Sequence, residues 1–336
     1  MKYYCGIDLH SNNHYVCLID DNDTRVIEKK LDNDASELLR LLEPYRKRLT
    51  SVAIESTFNW YWLVDALNEA GYHVDLVNTA AVVQYEGLKR TDDRYDAFHL
   101  AHLMRLGILP TGYIYPKKER GLRDLMRRRL KLVQECSQHL ISLKTQYQRQ
   151  TGQTLLTNKI KTKSFELPVV GDENVQLSMQ ANLYLSRIVT QTIHKLEVSI
   201  MAQIKQVPRF ALLKTVDGIG DILAETIMFE TGSIARFKSP GNFASYCRCV
   251  DSRRTSNGKK KGTGNRKNGN KYLAWAFIEA ASKALKYSPE AKKFYEKKKR
   301  QGNSCIAMKA LAHKLARACY HIMKNEEAYN PDKLFA

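Results

Sequence analysis

The chain has 336 residues, enough for about two domains. Hydrophobic residues make up 43% and charged residues 26% of the composition, which is typical of a folded protein, and no apolar run approaches the roughly 18 residues of a membrane span. The seven cysteines form no Cys-x-x-Cys pair, and a charge at Asp8 comes too early for a signal peptide. We therefore expect a reduced, cytoplasmic protein without a disulfide framework or zinc ribbon.

Residues 1–110 are predicted to form a mixed sheet with helices on its faces. Three short strands separated by polar turns come first, and helices and strands then alternate, which is the order of an α/β domain. The predicted strands are 3–9, 14–19, 24–30, 51–55 and 73–77, and the predicted helices are 33–48, 60–70 and 93–106.

Four carboxylates occupy suggestive positions in this region. Asp8 ends the first strand, Glu55 ends the fourth, and Asp93 and Asp96 lie on one helix face. Ends of adjacent strands converge, and carboxylate oxygens are the ligands that Mg²⁺ and Mn²⁺ prefer. The pattern predicts an RNase H-like phosphoryl-transfer site, although each residue could singly be a turn, a strand end or a helix cap, and Asp92 is a further candidate.

Positive charge is concentrated after residue 110. Residues 1–110 contain 12 Lys/Arg and 17 Asp/Glu, whereas residues 111–336 contain 42 and 18 and carry a net charge of +24. This excess predicts a nucleic-acid partner, with a basic surface that only serves solubility as the alternative.

Two long helical runs are predicted after a linker marked by Pro110, Gly112 and Pro116. Apolar residues recur at heptad spacing from Leu122 to Tyr147, and a second run covers about 176–206. They predict either an antiparallel helical hairpin or a coiled coil between subunits. A basic stripe on the first run is either a phosphate-binding face or an ordinary solvated face, and consists of Arg120, Arg123, Arg127 and Lys131.

Residues 208–336 are predicted to be mainly helical. Gly218 and Gly220 precede a helix, as in a helix-hairpin-helix turn whose backbone N–H groups approach a phosphate, with a plain turn as the alternative. The predicted fold class is therefore α/β plus α, with regions 1–110, 111–207 and 208–336 as the metal domain, the coiled-coil segment and a C-terminal helical domain.

Segment 251–271 is a basic loop with eight Lys/Arg, one acid and four glycines. Such a loop can follow a phosphate backbone closely, and its serines become nucleophiles only with help from a base, a metal or dense positive charge. From the residues alone, a loop that only grips nucleic acid is favoured. The predicted nucleic-acid-binding residues here are Arg253, Arg254, Lys259, Lys260, Lys261, Arg266, Lys267 and Lys271.

Motifs along nearly the whole chain resemble the DEDD-type transposases of insertion-sequence family 110, which are bridge-RNA-guided serine recombinases. The motifs that carry this resemblance are Gly6-Ile-Asp8, Ala53-Ile-Glu55-Ser-Thr, Thr91-Asp-Asp-Arg-Tyr-Asp96-Ala97-Phe-His-Leu-Ala101, Val216-Asp-Gly-Ile-Gly220, Phe237-Lys-Ser-Pro-Gly-Asn-Phe-Ala-Ser-Tyr246, Ser256-Asn-Gly-Lys and Lys267-Asn-Gly-Asn-Lys-Tyr-Leu273.

The resemblance implies a RuvC-like domain that holds Mg²⁺ on Asp8, Glu55, Asp93 and Asp96, and a second domain whose serine attacks DNA. That serine is Ser256, with Ser252 as the alternative. It also implies a structural noncoding guide RNA, target and donor double-stranded DNA, and homodimers that assemble into tetramers.

Three other functions are weighed against RNA-guided recombination. A metal-dependent nuclease or Holliday-junction resolvase would use water as the nucleophile, and a non-enzymatic nucleic-acid-binding protein would need no metal. An actin-like kinase is excluded because His10 occupies the place of a glycine that its phosphate loop needs.

Overall fold

The computed structural model describes residues 1–82, 92–250, 254–262 and 268–335, with only the backbone of Ala80, Arg254, Thr255 and Lys260. Residue contacts divide the chain into two compact units, 1–117 and 118–336. The division into three regions at residues 110 and 207 stays a prediction. Within the described residues, no helix is both long enough and apolar enough to cross a membrane.

Unit 1–117 is a five-stranded mixed sheet with helices, as predicted for an RNase H-like domain. The strand order is β3-β2-β1-β4-β5, in which β1, β2 and β3 are antiparallel and β1, β4 and β5 are parallel. Its strands are β1 Tyr3–Leu9, β2 Asn13–Asp20, β3 Arg25–Asp32, β4 Leu49–Glu55 and β5 Val74–Val77, and its helices are α1 Ala35–Leu42, α2 Tyr61–Glu69 and α3 Asp93–Arg105.

The predicted helix 33–48 is shorter than expected because Pro44 interrupts it. The α-helix α1 begins after the Asp34 side chain caps the Ser36 N–H and ends at Leu42, and a 3₁₀ turn with Pro44 in its first residues follows over Glu43–Arg48. A proline has no N–H to continue the hydrogen-bond ladder, so it is tolerated at the start of the new turn and not inside the helix.

Unit 118–336 is almost entirely helical, as the sequence predicts. Its helices are α4 Lys117–Thr151, α5 Thr157–Ile160, α6 Glu173–Ile204, α7 Pro208–Leu213, α8 Asp221–Thr231, α9 Pro240–Tyr246, α10 Lys271–Tyr287, α11 Pro289–Arg300, α12 Ser304–Asn325 and α13 Pro331–Phe335, and one hairpin is formed by β6 Arg254–Ser256 and β7 Lys259–Gly262.

Helices α4 and α6 form an antiparallel hairpin within one chain. Arg129 pairs with Glu197 at 2.6 Å, and near the far end of α4 the Gln146 amide donates to Ser178 Oγ at 2.8 Å. The contact partners on α6 have lower residue numbers as those on α4 become higher, so the two helices run antiparallel. Leu140, Leu143 and other heptad residues are buried between them. The hairpin alternative of the sequence prediction is therefore confirmed, because the heptad seam is covered by the same chain.

The C-terminal core is built from α8, α10 and α12, whose contact faces carry many alanines. Gly218 has a φ of +91°, and a Cβ there would lie 2.5 Å from the backbone oxygen of Ala280 and 2.6 Å from the nitrogen of Ala284. The glycine lets the turn before α8 touch the backbone of α10 directly.

Candidate metal centre and nucleic-acid interface

Asp8 and Glu55 lie side by side at the ends of two parallel strands. In the β1–β4 register Ile7 is opposite Ile54, so the next residue of each strand is one of the two carboxylates. Asp8 is buried, and Glu55 beside it is one of the groups that raise its pKa. Two carboxylates at neighbouring strand ends repel each other, and a bound cation would offset that repulsion.

Helix α3 brings Asp93 and Asp96 to this edge because it packs directly on β1 at Gly6. A Cβ at Gly6 would lie 2.0 Å from the backbone oxygen of Ala97 and 2.7 Å from the nitrogen of Ala101. Only glycine allows this approach, which is what places the first turn of α3 against the end of β1.

Asp92 and Asp93 have different roles at the start of α3. The Asp92 side chain is the helix cap and accepts a 2.7 Å hydrogen bond from the Tyr95 N–H. Asp93 instead faces the strand end, where its Oδ1 lies 3.1 Å from Nε2 of His10. Asp92 is thus engaged as the helix cap, whereas Asp93 lies beside His10 in the carboxylate cluster.

His10 joins the cluster, and the sequence reasoning did not include it. Its Nε2 lies 3.3 Å from Asp8 Oδ2, and the ligand atoms of Asp8, His10 and Asp93 all lie within 4.8 Å of one another. The available signal was the spacing Asp8-x-His10, because alternate residues of an extended chain point the same way.

Mutual repulsion and burial of the carboxylates shift the pKa values of the groups in this cluster. Burial, the hydrogen bond with Glu55 and the charges of Glu55 and Asp96 raise the pKa of Asp8 to about 7, although His10 opposes the shift. Burial and the neighbouring carboxylates also raise the pKa of Asp96. For His10, burial acts to lower the pKa, but the hydrogen bond to Asp93 and the nearby carboxylates raise it overall.

The donor set fits a divalent cation such as Mg²⁺ or Mn²⁺. Asp96 Oδ1 is buried and has no hydrogen-bond partner among the described residues. A buried carboxylate oxygen without a partner is unfavourable unless a cation or water satisfies it. Among the described residues, Asp8, His10 and Asp93 are the group whose ligand atoms lie close enough to hold one ion, and Glu55 and Asp96 are not part of that group.

Ser256 lies at the tip of the β6–β7 hairpin and is exposed. It pairs with Lys259 across the turn, and the two turn residues, Asn257 and Gly258, have φ values of 51° and 71°. Positive φ at both central positions defines the tight turn for which Asn-Gly is the preferred sequence. The hairpin therefore presents the hydroxyl of Ser256 beside an exposed lysine.

Other predicted residues of the basic loop are only partly described. Lys259 and Lys261 are exposed on the hairpin and Lys271 is exposed at the start of α10. Arg253, Arg266 and Lys267, as well as the alternative Ser252, lie outside the described residues, and so do the side chains of Arg254 and Lys260.

The basic stripe on α4 is largely not a free phosphate-binding face. Arg120 and Arg123 are buried, and Arg123 and Arg127 form ion pairs with buried Glu230 at 3.2 and 2.6 Å. Burial alone would raise the pKa of Glu230, but the hydrogen bond from Arg127 and the charges of both arginines hold that pKa below its ordinary value. These arginines tie α4 to the C-terminal core, so only Lys131 keeps the exposure that the prediction assumed.

The glycine turn also has a structural function that the sequence did not show. Gly218 is needed for contact with α10, as described above, while Gly220 is the N-terminal cap of α8 and a Cβ there would meet open space. Gly218 therefore serves packing, and the approach of a phosphate to Gly220 stays a prediction.

Comparison with known families agrees with both parts of this description. A DEDD transposase model of the IS110 type matches residues 5–149, which include all four carboxylates. A model described as transposase IS116/IS110/IS902 family matches residues 210–296, which include Ser256. No curated protein matches the chain. The two matches together cover most of the chain, which belongs to the IS110 family of transposases.

Proposed function

We propose that this transposase is an RNA-guided DNA recombinase that cuts and rejoins duplex DNA through a covalent phosphoserine on Ser256. The observation that supports the proposal is the group of Asp8, His10 and Asp93, whose ligand atoms lie within 4.8 Å of one another. Beside it, the buried Oδ1 of Asp96 has no hydrogen-bond partner among the described residues. Asp8 and Asp93 share one imidazole partner, His10, and the charges of Glu55 and Asp96 add to the negative charge around Asp8.

In this proposal the four carboxylates hold Mg²⁺ or Mn²⁺, and His10 orients Asp93. When bound, the metal neutralises charge on the scissile phosphate and favours loss of the proton from the attacking hydroxyl. The hydrogen bond from His10 keeps Asp93 turned toward the strand end. Gly6 maintains the distance between the two carboxylate pairs.

Ser256 supplies the nucleophile. Its oxygen forms a bond to phosphorus while the bond from phosphorus to one deoxyribose oxygen breaks, and that leaving oxygen takes up a proton. The phosphoserine ester preserves the free energy of the broken phosphodiester, so attack by a new deoxyribose hydroxyl reseals the strand without ATP. Lys259, opposite Ser256 on the hairpin, provides positive charge for the phosphate.

The partners in this proposal are a structural noncoding RNA, target and donor DNA, and further copies of the chain. The net charge of +24 after residue 110 supports binding of polyanions. Exposed apolar side chains on α6 support pairing of hairpins between subunits, and include Leu177, Tyr184, Leu185, Ile188 and Val198.

A covalent protein–DNA adduct tests the assignment of Ser256. End-labelled target DNA is incubated with the protein, its RNA and Mg²⁺ and run on a denaturing gel. We expect a protease-sensitive labelled band that migrates with the protein for the wild type and not for Ser256→Ala. Binding of RNA and DNA should change by no more than about 1 kcal/mol, because one hydroxyl contributes little beside the basic groups.

Ser252→Ala is the matched control and should retain the adduct. Normal cleavage by Ser256→Ala would refute the assignment of the nucleophile. If cleavage then required Mg²⁺ and left no adduct, a water-driven nuclease would be the correct function.

A further inference from the structure

A cavity lies in unit 118–336, between the middle of α4 and the first turns of α10. Its volume is about 410 Å³, within the range of small-molecule sites. The residues that line it are Arg127, Leu130, Lys131, Gln134, Lys271, Tyr272 and Trp275. Basic and aromatic side chains thus alternate around one concave surface, in a part of the molecule to which the strand-exchange chemistry assigns no role.

The walls of this cavity are fixed by the buried carboxylate of Glu230. Arg127 of α4 binds it through Nε at 2.6 Å and Nη2 at 2.9 Å, and Asn270 donates to it at 2.7 Å. Asn270 in turn caps α10 by accepting from the N–H groups of Tyr272 and Leu273. One carboxylate therefore ties both helices together beneath the cavity, whose rim is formed by surface side chains.

The aromatic walls are suited to stacking. Tyr272 and Trp275 are half-buried, so part of each ring is accessible. The guanidinium of Arg127 lies 4.5 Å from the centre of the Tyr272 ring, and Nζ of Lys271 lies 5.2 Å from it. These contacts hold Tyr272 in place, while Trp275 carries no such cation contact among the described residues.

The charge around the rings is positive. Lys131 and Lys271 are exposed at the rim, and no acidic side chain is among the described residues that line the cavity. Aromatic faces flanked by lysines are the combination that binds bases by stacking and phosphates by charge. A base inside a duplex is already stacked and cannot enter such a cavity, so the ligand must be unpaired.

We propose that the cavity between α4 and α10 binds one unpaired nucleotide of single-stranded DNA or RNA, with its base against Trp275 and its phosphates at Lys131 and Lys271. The inference rests on the proposed function only in requiring a nucleic-acid ligand, and its test needs no strand cleavage.

The experiment measures tryptophan fluorescence of the full-length chain during titration with single-stranded oligonucleotides of about 12 nucleotides, made of thymidine or of uridine. The signal of Trp275 is the difference between the wild type and Trp275→Phe, since the other two tryptophans, Trp60 and Trp62, remain in both. We expect both oligonucleotides to quench this difference signal. Abasic strands of equal length and the same oligonucleotide in a duplex should leave it unchanged.

Affinity measured by anisotropy of a labelled oligonucleotide gives a second readout. Trp275→Ala should weaken binding about tenfold, the usual effect of one lost stacking contact, whereas Trp275→Phe keeps a ring and should stay close to wild type. Lys131→Ala and Lys271→Ala should weaken binding more than Lys283→Ala, which removes an equal charge from α10 outside the cavity.

Several results would overturn the proposal. Equal affinity for abasic and thymidine strands would show an electrostatic surface only, and equal competition by polyglutamate would show a site for acidic peptides. Quenching by duplex as strong as by single strands would exclude unpaired ligands. Loss of recombination in Ser256→Ala leaves all of these readouts unaffected, so failure of the proposed function and failure of this inference are distinguishable.

Discussion

Replacing Asp8 by Asn should abolish strand cleavage and yet make the metal-free protein more stable. In the free protein, Asp8 is buried beside Glu55 and Asp96, and this environment raises its pKa to about 7. Asn keeps the shape and hydrogen-bonding capacity of the side chain without its charge. A charged Asp8 that destabilises the metal-free fold is explained if its charge binds a cation.

The size of the gain follows from the pKa. A shift from 3.8 to about 7 corresponds to at most about 4 kcal/mol at 1.36 kcal/mol per pH unit. Because solvent reaches the half-exposed His10 and Asp93 at the rim, screening reduces the penalty, and we expect a gain of about 2 kcal/mol.

The pH dependence has a defined sign. A carboxyl group with a raised pKa in the folded state binds more protons there than in the unfolded state, so its contribution lowers stability as pH rises from about 4 to about 7. The gain in free energy of unfolding from Asp8→Asn should therefore be complete at pH 8 and mostly absent at pH 4.

Chemical denaturation with and without Mg²⁺ measures these effects. Wild-type stability should rise with Mg²⁺, by about 2.7 kcal/mol at one hundred times the dissociation constant, and Asp8→Asn should respond much less. Asp32→Asn, at an exposed acid of the same unit, is the matched control and should change neither quantity. A destabilised Asp8→Asn protein, or one with an undiminished Mg²⁺ response, would refute the carboxylate-cluster argument.

Three further predictions concern other parts of the chain. Glu225 is buried, and its Oε2 has no hydrogen-bond partner among the described residues. Burial above all, then the charge of Asp221, raises the pKa of Glu225 to about 7. Glu225→Gln should therefore remove a fall in stability of up to about 3 kcal/mol between pH 4.5 and 7; denaturation across that range measures it, and an unchanged pH profile would contradict this. Gly6→Ala should destabilise unit 1–117 by more than about 2 kcal/mol and weaken Mg²⁺ binding, because the new Cβ displaces α3; a wild-type melting temperature would disprove the close approach. Affinity for RNA or DNA should fall steeply with salt, and Lys259→Ala with Lys261→Ala should make the slope shallower; a slope near zero in the wild type would remove the electrostatic basis for a polyanion partner.

Local sequence was sufficient to predict most of the elements and the fold class. The three meandering strands, the alternating elements after them and the heptad runs all have periodicities that depend on neighbours a few residues apart. The helix 33–48 was predicted too long because its apolar spacing continues past Pro44, and α11 and the β6–β7 hairpin were missed because their sequences are mostly charged and carry little apolar periodicity.

The candidate site was predictable as a set of residue types at strand ends, but its geometry was not. That Asp92 caps α3 while Asp93 meets His10 depends on how far α3 slides along β1, and Gly6 sets that distance. His10 follows the same limit in part: the spacing Asp8-x-His10 hints at a shared direction, but only the structure shows its contact with Asp93.

The sequence by itself determined the elements, the excess of positive charge and the carboxylates that could bind a metal, because these depend on composition and short-range spacing. Only the tertiary structure decided which of the basic residues are free. Arg123 and Arg127 look like part of a phosphate-binding stripe in sequence, yet Glu230, more than one hundred positions away, binds both in the interior. A buried guanidinium needs a carboxylate partner, and which one it meets is set by the packing of distant helices and not by its neighbours in the chain.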